Sequence, residues 1–594
     1  MKTTKATNKV SSMSKVKKSI TVLIAGVMMA TTAAGLTSSS FIIADAVDVN
    51  SVTTMNTTAA ETRIKADQYN GHDIMTGVYE KDGFKVDFKY SDGFFETEPK
   101  QYDPHIATMS CNLAYSSTTV EKGSDYSQGP KTIKDLLSQM GFEDLYASPA
   151  YTQEPTPDSV ACAIGSKTFK TKDGTKKVVS ITVRSANYEK EWASNVSLGK
   201  QGEAEGFANA ANQVTSEVNK YLEDNNMTED AANGNVVFWL SGFSRGGATA
   251  NLTAKRLIDQ YQDKNDKVYT YTIEAPQGGM ASEERSDRDY TCIHNVVCKD
   301  DPVPFVAPTD WGFKRYGVDH FIYNENWNSD HLQKSVFVNN VADNDGTVGV
   351  SDERLDLLKQ QIDKITGDRA KDYYPVTSLD KKKLDLSIKT SWYIWEWDWS
   401  LDIVNDGKTT PKDVINHFVM NLGTDISREE YVDSGIQSAA RRMMTFLNTQ
   451  GVHIDNIINA IDLKDTLIGV AKNMFTDYIE NFWNQIIDNW YNPFAWPVWN
   501  PPIPNVNDLI TALKESLNDN QKIHDIFNNY DGGVDKAVDD LLNVAFHGIK
   551  GFDSIDDILT FAFAINDIYK NHSTLQSVCW LRTYDNWYTA ATQK

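Results

Sequence analysis

The sequence predicts an α/β protein: a largely parallel central sheet with helices on both faces, carrying a large, mostly helical, Trp-rich insertion. Three observations predict it. Between residues about 70 and 330, short apolar runs alternate with amphipathic segments, the rhythm of strands buried on both faces and joined by crossover helices. The apolar run from Val236 to Ser241 leads into Gly242-Phe243-Ser244-Arg245-Gly246 and then into the small residues Gly247 to Leu252. That is a strand, a tight turn and a helix in immediate succession. From about 335 to 560 the spacing becomes helical, strand signals are few, and aromatic clusters take eight of the fourteen Trp.

Taken in order, the N-terminus reads as an export signal. Lys2, Lys5, Lys9, Lys15, Lys17 and Lys18 form a basic region, Ile20 to Leu36 is mostly apolar, and Ala44-Asp45-Ala46 is an A-x-A cleavage pattern. The expectation is a signal peptide over 1–46 and a secreted, extracellular protein. An uncleaved anchor is the weaker alternative, because the apolar stretch is short and diluted by Thr and Gly. The 594-residue chain carries a net charge of −23, and loss of 1–46 would remove six Lys and one Asp. So acidic a chain is repelled by nucleic acid and by anionic membranes, which excludes a nucleic-acid partner. The five cysteines form no C-x-x-C pair. They therefore point to small buried thiols, with neither a disulfide framework nor a zinc site.

Residues 47–69, rich in Thr, Ala, Asn and Val, read as a linker. The region 70–334 is the core. Val178 to Val183 reads as a strand. Glu205 to Glu223 reads as a helix, with Phe207, Ala211, Val214, Val218 and Leu222 near helical spacing. The strand ending at Leu240, a helix to about Tyr261, and strands at Val268–Ile273 and His294–Cys298 follow.

The strand–turn–helix around Ser244 is the context of a nucleophile elbow. Such a turn strains the serine backbone and lifts Oγ out of the chain. Gly242 and Gly246, lacking Cβ, let strand and helix approach, and the helix N-terminus aims N–H groups at a developing oxyanion. A serine nucleophile also needs a base and an orienting carboxylate, which follow the serine in the order acid, then histidine. Asp301 follows a buried-strand pattern and precedes the stiff turn Pro302-Val303-Pro304, with Asp300 as its neighbour and competitor. His320, His331, His417, His453, His524, His547 and His572 all come later, and spacing alone does not choose among them.

At this point the chain resembles the class 3 lipases, the fungal-lipase-like branch of the α/β-hydrolases, and most closely their bacterial secreted members. The resemblance rests on VSITVRS at 179–185, Glu191-Trp192-Ala193-Ser194-Asn195, Gly206-Phe207, YTYTIEAP at 269–276, Asp301-Pro302-Val303-Pro304 and the elbow itself. It covers residues about 75 to 325 and implies an α/β-hydrolase fold. It also implies a serine ester hydrolase without cofactor or metal, acting on esters or lipids, with Asp301 selected over Asp300. His572, followed eight residues later by Trp580-Leu581, has the spacing of the base in bacterial members; His331 is the runner-up. If His572 is the base, 335–560 is an insertion or cap and 561–594 returns to the core. Two positions depart from the family pattern. Arg184-Ser185-Ala186 stands where Arg-Gly-Thr or Arg-Gly-Ser is usual, and Glu203, Ala204 and Glu205 stand where a His often precedes Gly-Phe. The oxyanion hole is assigned to the N–H groups of Ser185 and Arg245.

In the insertion, Tyr393, Trp395, Trp397 and Trp399 alternate with Ile394, Glu396 and Asp398, and Asn489 to Trp499 is a Pro-broken aromatic loop. Three readings compete: a Trp-rich helical core, a lid whose aromatics touch acyl chains or a lipid interface, and a platform that stacks on sugar rings. Asp402, Asp406, Gly407 and Asp413 fall on positions one, five, six and twelve of an EF-hand-like loop, but Val404 occupies position three. A polar turn is the better account. The competing reading of the whole chain is a binding protein that keeps the hydrolase fold without catalysis and holds a surface or polysaccharide partner through its aromatic insertion. Substrate choice and oligomeric state are not written in these motifs.

Overall fold

The computed structural model describes residues 66–322, with short breaks at 119–128, 154–155, 172–173, 186–190 and 264–266. It further describes 352–415 (less 393–394 and 405–408), 426–452, 506–546 and 567–589, with isolated positions between. Two compact units emerge. One comprises 35–377 together with 568–594, and the other contains 378–567.

The first unit begins with an antiparallel meander, β1 (Ala66–Tyr69), β2 (His72–Lys81) and β3 (Phe84–Tyr90). The linker expected to run to 69 therefore stops short: Ala66 pairs with Ile74 and Tyr69 with His72, so the chain is already strand at Ala66. Helix α1 (Pro104–Ser117) follows. Asp103 caps it by accepting from His105 N–H at 2.8 Å and Ile106 N–H at 3.3 Å, and Pro104 sits where a missing N–H costs nothing.

The central sheet has the order β10-β9-β8-β7-β6-β5-β4. Its strands are β4 (Glu143–Ala147), β5 (Cys162–Thr171), β6 (Gly174–Val183), β7 (Val236–Phe243), β8 (Val268–Ile273), β9 (Ile293–Cys298) and β10 (Val318–Ile322). From β6 to β10 every pairing is parallel, and β4 and β5 add an antiparallel edge. Strands β7, β8 and β9 are buried at every position, as their near-continuous apolar runs require. Helices α2 (Glu205–Asp224) and α3 (Arg245–Tyr261) lie between strands in the chain, giving the alternation of a mostly parallel α/β sheet. Trp239 of β7 is wholly buried on the α1 side, and its Nε1–H donates to Ser110 Oγ at 2.9 Å, so the indole adds apolar area without an orphan donor.

Residues 352–377, grouped by pattern with the helical segment, belong to this first unit. In α4 (Asp352–Thr366), Leu358, Ile362 and Ile365 form one apolar stripe that joins the main core. The C-terminal helix α5 (Thr574–Tyr584) joins the same core through Leu575, Val578, Cys579 and Leu581. It is anchored by Arg582 Nη1 to Asp87 Oδ1 at 3.1 Å, and just beyond it Asp585 Oδ1 lies 2.7 Å from His105 Nδ1. All five cysteines are buried and no disulfide joins them.

The second unit holds a hairpin that helical spacing did not announce. Its strands β11 (Lys382–Trp392) and β12 (Trp395–Ile403) pair from Lys382↔Ile403 to Trp392↔Trp395. The two-residue aromatic alternation at 393–399 is the local cause, since only a strand turns alternate residues to one face. Its described helices include Ile436–Gln450, Val506–Asn518, Gln521–Phe527 and Gly533–Phe546, with shorter ones at Pro411–Val414 and Arg428–Asp433. Arg442 grips Asp540 with two nitrogens at 2.8–3.0 Å while Tyr530 Oη donates to the same carboxylate at 2.9 Å. The side chains of the eight Trp, and residues 1–46, lie outside the described residues. So do Asp406 and Gly407 of the EF-hand-like stretch, whose Asp413 instead accepts from Thr410 in a capping box. Among the described residues no helix is long and apolar enough to cross a membrane, and no cluster of His, Cys, Asp or Glu could hold a metal ion.

At the edge of the central sheet, His294 Nδ1 and His320 Nε2 sit 3.0 Å apart and both rings are buried. Burial pushes His294 down to about 4, and burial with the neighbouring ring pushes His320 well below its ordinary value. Both are neutral in the folded chain, whereas the unfolded chain takes up protons on both as pH falls through about 6.5. Stability is therefore full above pH 6.5 and falls as pH drops toward 4, by at most about 1.4 kcal/mol per pH unit for each histidine. Urea midpoints measured at pH 7.5, 6 and 5 should fall in that order. The His294→Gln/His320→Gln pair should flatten the slope.

Candidate active site

The site lies at the C-terminal ends of the parallel strands, where α/β sheets open their crevices. Ser244 sits between β7 and α3 with φ 54° and ψ −127°, a left-handed conformation unusual for serine. Such a backbone costs on the order of 1–3 kcal/mol and persists where its surroundings enforce it. Here the enforcement is the crossing of strand and helix. A Cβ built on Gly242 would lie 2.3 Å from Gly246 O, and one on Gly246 would lie 2.5 Å from Val183 O. Only glycine at both positions lets the helix start that close to the sheet.

Asp301 lies in the turn after β9, fully buried, and its Oδ1 accepts from Val303 N–H at 2.9 Å. That backbone bond fixes the carboxylate and leaves Oδ2 for a partner. The partner is His572 Nδ1 at 2.5 Å, while His572 Nε2 lies 2.9 Å from Ser244 Oγ. The three residues are 5%, 0% and 2% exposed in the order Ser, Asp, His. The imidazole thus spans a carboxylate and a hydroxyl, with one ring nitrogen for each. Phe243 packs against the ring with centroids 4.7 Å apart and narrows its freedom to rotate. Among the described residues of this unit, none of the other candidate histidines lies beside Ser244. His320 is in β10 facing His294, His524 lies in the 378–567 unit, and His331, His417, His453 and His547 lie outside the described residues.

The other end of the site is a buried polar network. Arg184 and Glu191 form an ion pair, Arg245 Nη1 lies 3.8 Å from Glu191, and Arg245 also donates to Ser159 O at 2.6 Å and Ser194 Oγ at 2.9 Å. Buried charges of this kind are tolerated when paired and hydrogen-bonded, and they lock the chain that bears them. The segment locked here is the one following β6. Ser185 donates its hydroxyl to Phe243 O at 2.5 Å, the carbonyl just before the elbow serine. Among the described residues no backbone carbonyl accepts from the Ser185 N–H. Residues 186–190 lie outside the described residues.

One buried acid was missed by pattern reading. Glu274, at the end of β8, has φ 49° and is 1% exposed, and its Oε2 accepts from Cys298 N–H at 2.8 Å. Burial first, and the neighbouring Asp301 second, hold its carboxyl well above the usual carboxylate range. Two adjacent buried carboxylates do not both ionise readily, which is why the carboxyl of Glu274 favours its neutral form beside Asp301. The only sequence signal was the acid inside YTYTIEAP, and nothing local distinguishes it from an ordinary strand-end residue.

Residues 164–311 match the model of the family described as Lipase (class 3), a span that contains the elbow and Asp301. No curated protein matches the chain. Solved structures similar to part of it include a triacylglycerol lipase whose catalytic centre is described as a serine protease triad (17% identity over 37% of this chain and 78% of that one, TM-score 0.26). Others are the Rhizomucor miehei lipase propeptide complex (16% identity, 44% and 78%, TM-score 0.25) and a lipase from Rhizopus microsporus var. chinensis (16% identity, 37% and 75%, TM-score 0.25). The stretch 164–311, which holds the elbow and Asp301, is thus similar to the class 3 lipases.

Proposed function

We propose that the protein is an exported serine carboxylic-ester hydrolase that acts on acylglycerols or related esters through an acyl-enzyme on Ser244. The observation that carries this reading is the single imidazole of His572 lying within hydrogen-bond reach of both Ser244 Oγ and Asp301. Ser244 Oγ attacks the ester carbonyl while His572 Nε2 takes its proton. Asp301 holds the tautomer with the proton on Nδ1 and stabilises the imidazolium that forms. The N–H groups of Ser185 and Arg245 are assigned to the oxyanion, each contributing on the order of 3 kcal/mol to the tetrahedral state. His572 then returns the proton to the leaving alkoxide, and water, activated by the same imidazole, releases the acid. Export is supported by the basic and then apolar N-terminal sequence.

Purified protein should hydrolyse 4-nitrophenyl esters, and a panel from acetate to palmitate should show one chain-length optimum. Emulsified triacylglycerol and phospholipid then separate lipase from phospholipase action. Binding of these esters or of polysaccharide without turnover on any of them would favour a binding protein built on a hydrolase fold.

A further inference from the structure

We infer that Asn571 is a positioning residue for the base, and that it closes the two chain ends between which the 378–567 unit is inserted. This rests on the triad reading above. Asn571 immediately precedes His572, is 2% exposed and uses its whole amide. Its Oδ1 accepts from Val376 N–H at 2.7 Å, and its Nδ2 donates to Val376 O at 3.0 Å and to Asp300 O at 2.9 Å. The first two bonds copy the reciprocal pairing of two strand residues. The third reaches the carbonyl immediately before Asp301. One side chain therefore holds three separate pieces of backbone: the turn that carries the carboxylate, the chain just before residue 378, and the loop that carries the imidazole.

That placement matters because His572 has little local structure to orient it. It stands between a short 3₁₀ turn at Tyr569–Asn571 and the start of α5, and its N–H donates to Tyr569 O at 2.9 Å. The outgoing chain passes Val376 and Thr377, and the returning chain begins at Ile568. Without a clamp, the base would sit on a loop whose far end is the whole 378–567 segment. With Asn571 in place, the His572–Asp301 distance is set inside the first unit. A second tie, Gln576 Nε2 to Tyr373 O at 3.0 Å, holds the same two chain ends one turn further along and keeps the joint folded when Asn571 is changed. An asparagine is required because the site needs two donors and one acceptor in a plane. Aspartate would set a carboxylate oxygen against two carbonyls, and alanine would remove all three of these hydrogen bonds.

The test is Asn571→Ala and Asn571→Asp, with Asn571→Ser as a milder third variant. For each, kcat and KM, the melting temperature, and the far-downfield proton NMR signal of the imidazole Nδ1–H held by Asp301 are measured. A base displaced by about 1 Å costs up to about a hundredfold in rate. Expected is a roughly 10- to 100-fold fall in kcat with KM within about twofold, together with a broadened or lost imidazole proton in protein that still melts cooperatively. The serine variant should fall between wild type and alanine. A lowered melting temperature with kcat and the imidazole proton unchanged would overturn the proposal, because Asn571 would then only hold the fold. If the wild-type protein hydrolyses no ester, the ester-hydrolase reading fails by itself, and the imidazole proton still decides the role of Asn571.

Discussion

Replacing Ser244 by Ala is expected to remove essentially all ester hydrolysis, a loss on the order of 10⁶ in kcat, while the protein stays folded. The size follows from the chemistry: without Oγ there is no acyl-enzyme, and only the oxyanion donors and substrate binding remain, which leave a residual rate about 10³–10⁴ above water. The intact fold follows from the geometry. Ser244 Oγ bonds to His572 Nε2, whereas the elbow is held by Gly242, Gly246 and the packing of α3 on the sheet. Alanine keeps the same Cβ and meets the same backbone strain at φ 54°. Equal melting temperatures with activity at background is the expected pair of results on a 4-nitrophenyl ester.

Asp301→Asn is expected to lower kcat about 10⁴-fold with little change in KM. The direction of the amide is set by the turn. Val303 N–H donates to Oδ1 at 2.9 Å, so the asparagine carbonyl oxygen takes that place and its NH₂ faces His572 Nδ1. Nδ1 must then accept, the ring proton moves to Nε2, and Nε2 points a proton at Ser244 where a lone pair is needed. The variant keeps its shape and loses its base. Loss of the backbone bond to Val303 is avoided, so the effect belongs to the tautomer and not to a misplaced turn. Steady-state kinetics across pH, with circular dichroism as the control for folding, separates these causes.

What could be read from sequence follows how local each feature is. The elbow is a property of a few consecutive residues, because the glycines, the strand and the helix that force φ positive at Ser244 are neighbours in the chain. Four of the parallel strands were legible for a similar reason: their mostly apolar runs suit a doubly covered sheet. Asp301 against Asp300 is a choice between adjacent acids that spacing leaves open, and the contact that distinguishes them, Val303 N–H folding back on Asp301, is made by the turn. His572 stands 271 residues beyond Asp301, and seven histidines follow that acid. Composition and periodicity say nothing about which imidazole returns, and only resemblance narrowed the choice. Asn571 gave no signal at all, and Glu274 only that of an acid at the end of a strand pattern. Each acts through a backbone group that the fold brings near, and no pattern in one sequence records such a meeting. The hairpin at 382–403 shows the reverse case: its two-residue period was visible, but the helical spacing on either side of it outweighed a short strand signal.

The most direct measurement of the central claim is labelling of the wild-type protein by a fluorophosphonate, followed by mass spectrometry of the adduct. The account predicts one phosphonyl group per chain, on Ser244, with a labelling rate that collapses in Asp301→Asn. An unlabelled Ser244 in folded wild-type protein, or an adduct carried by another residue, would contradict it.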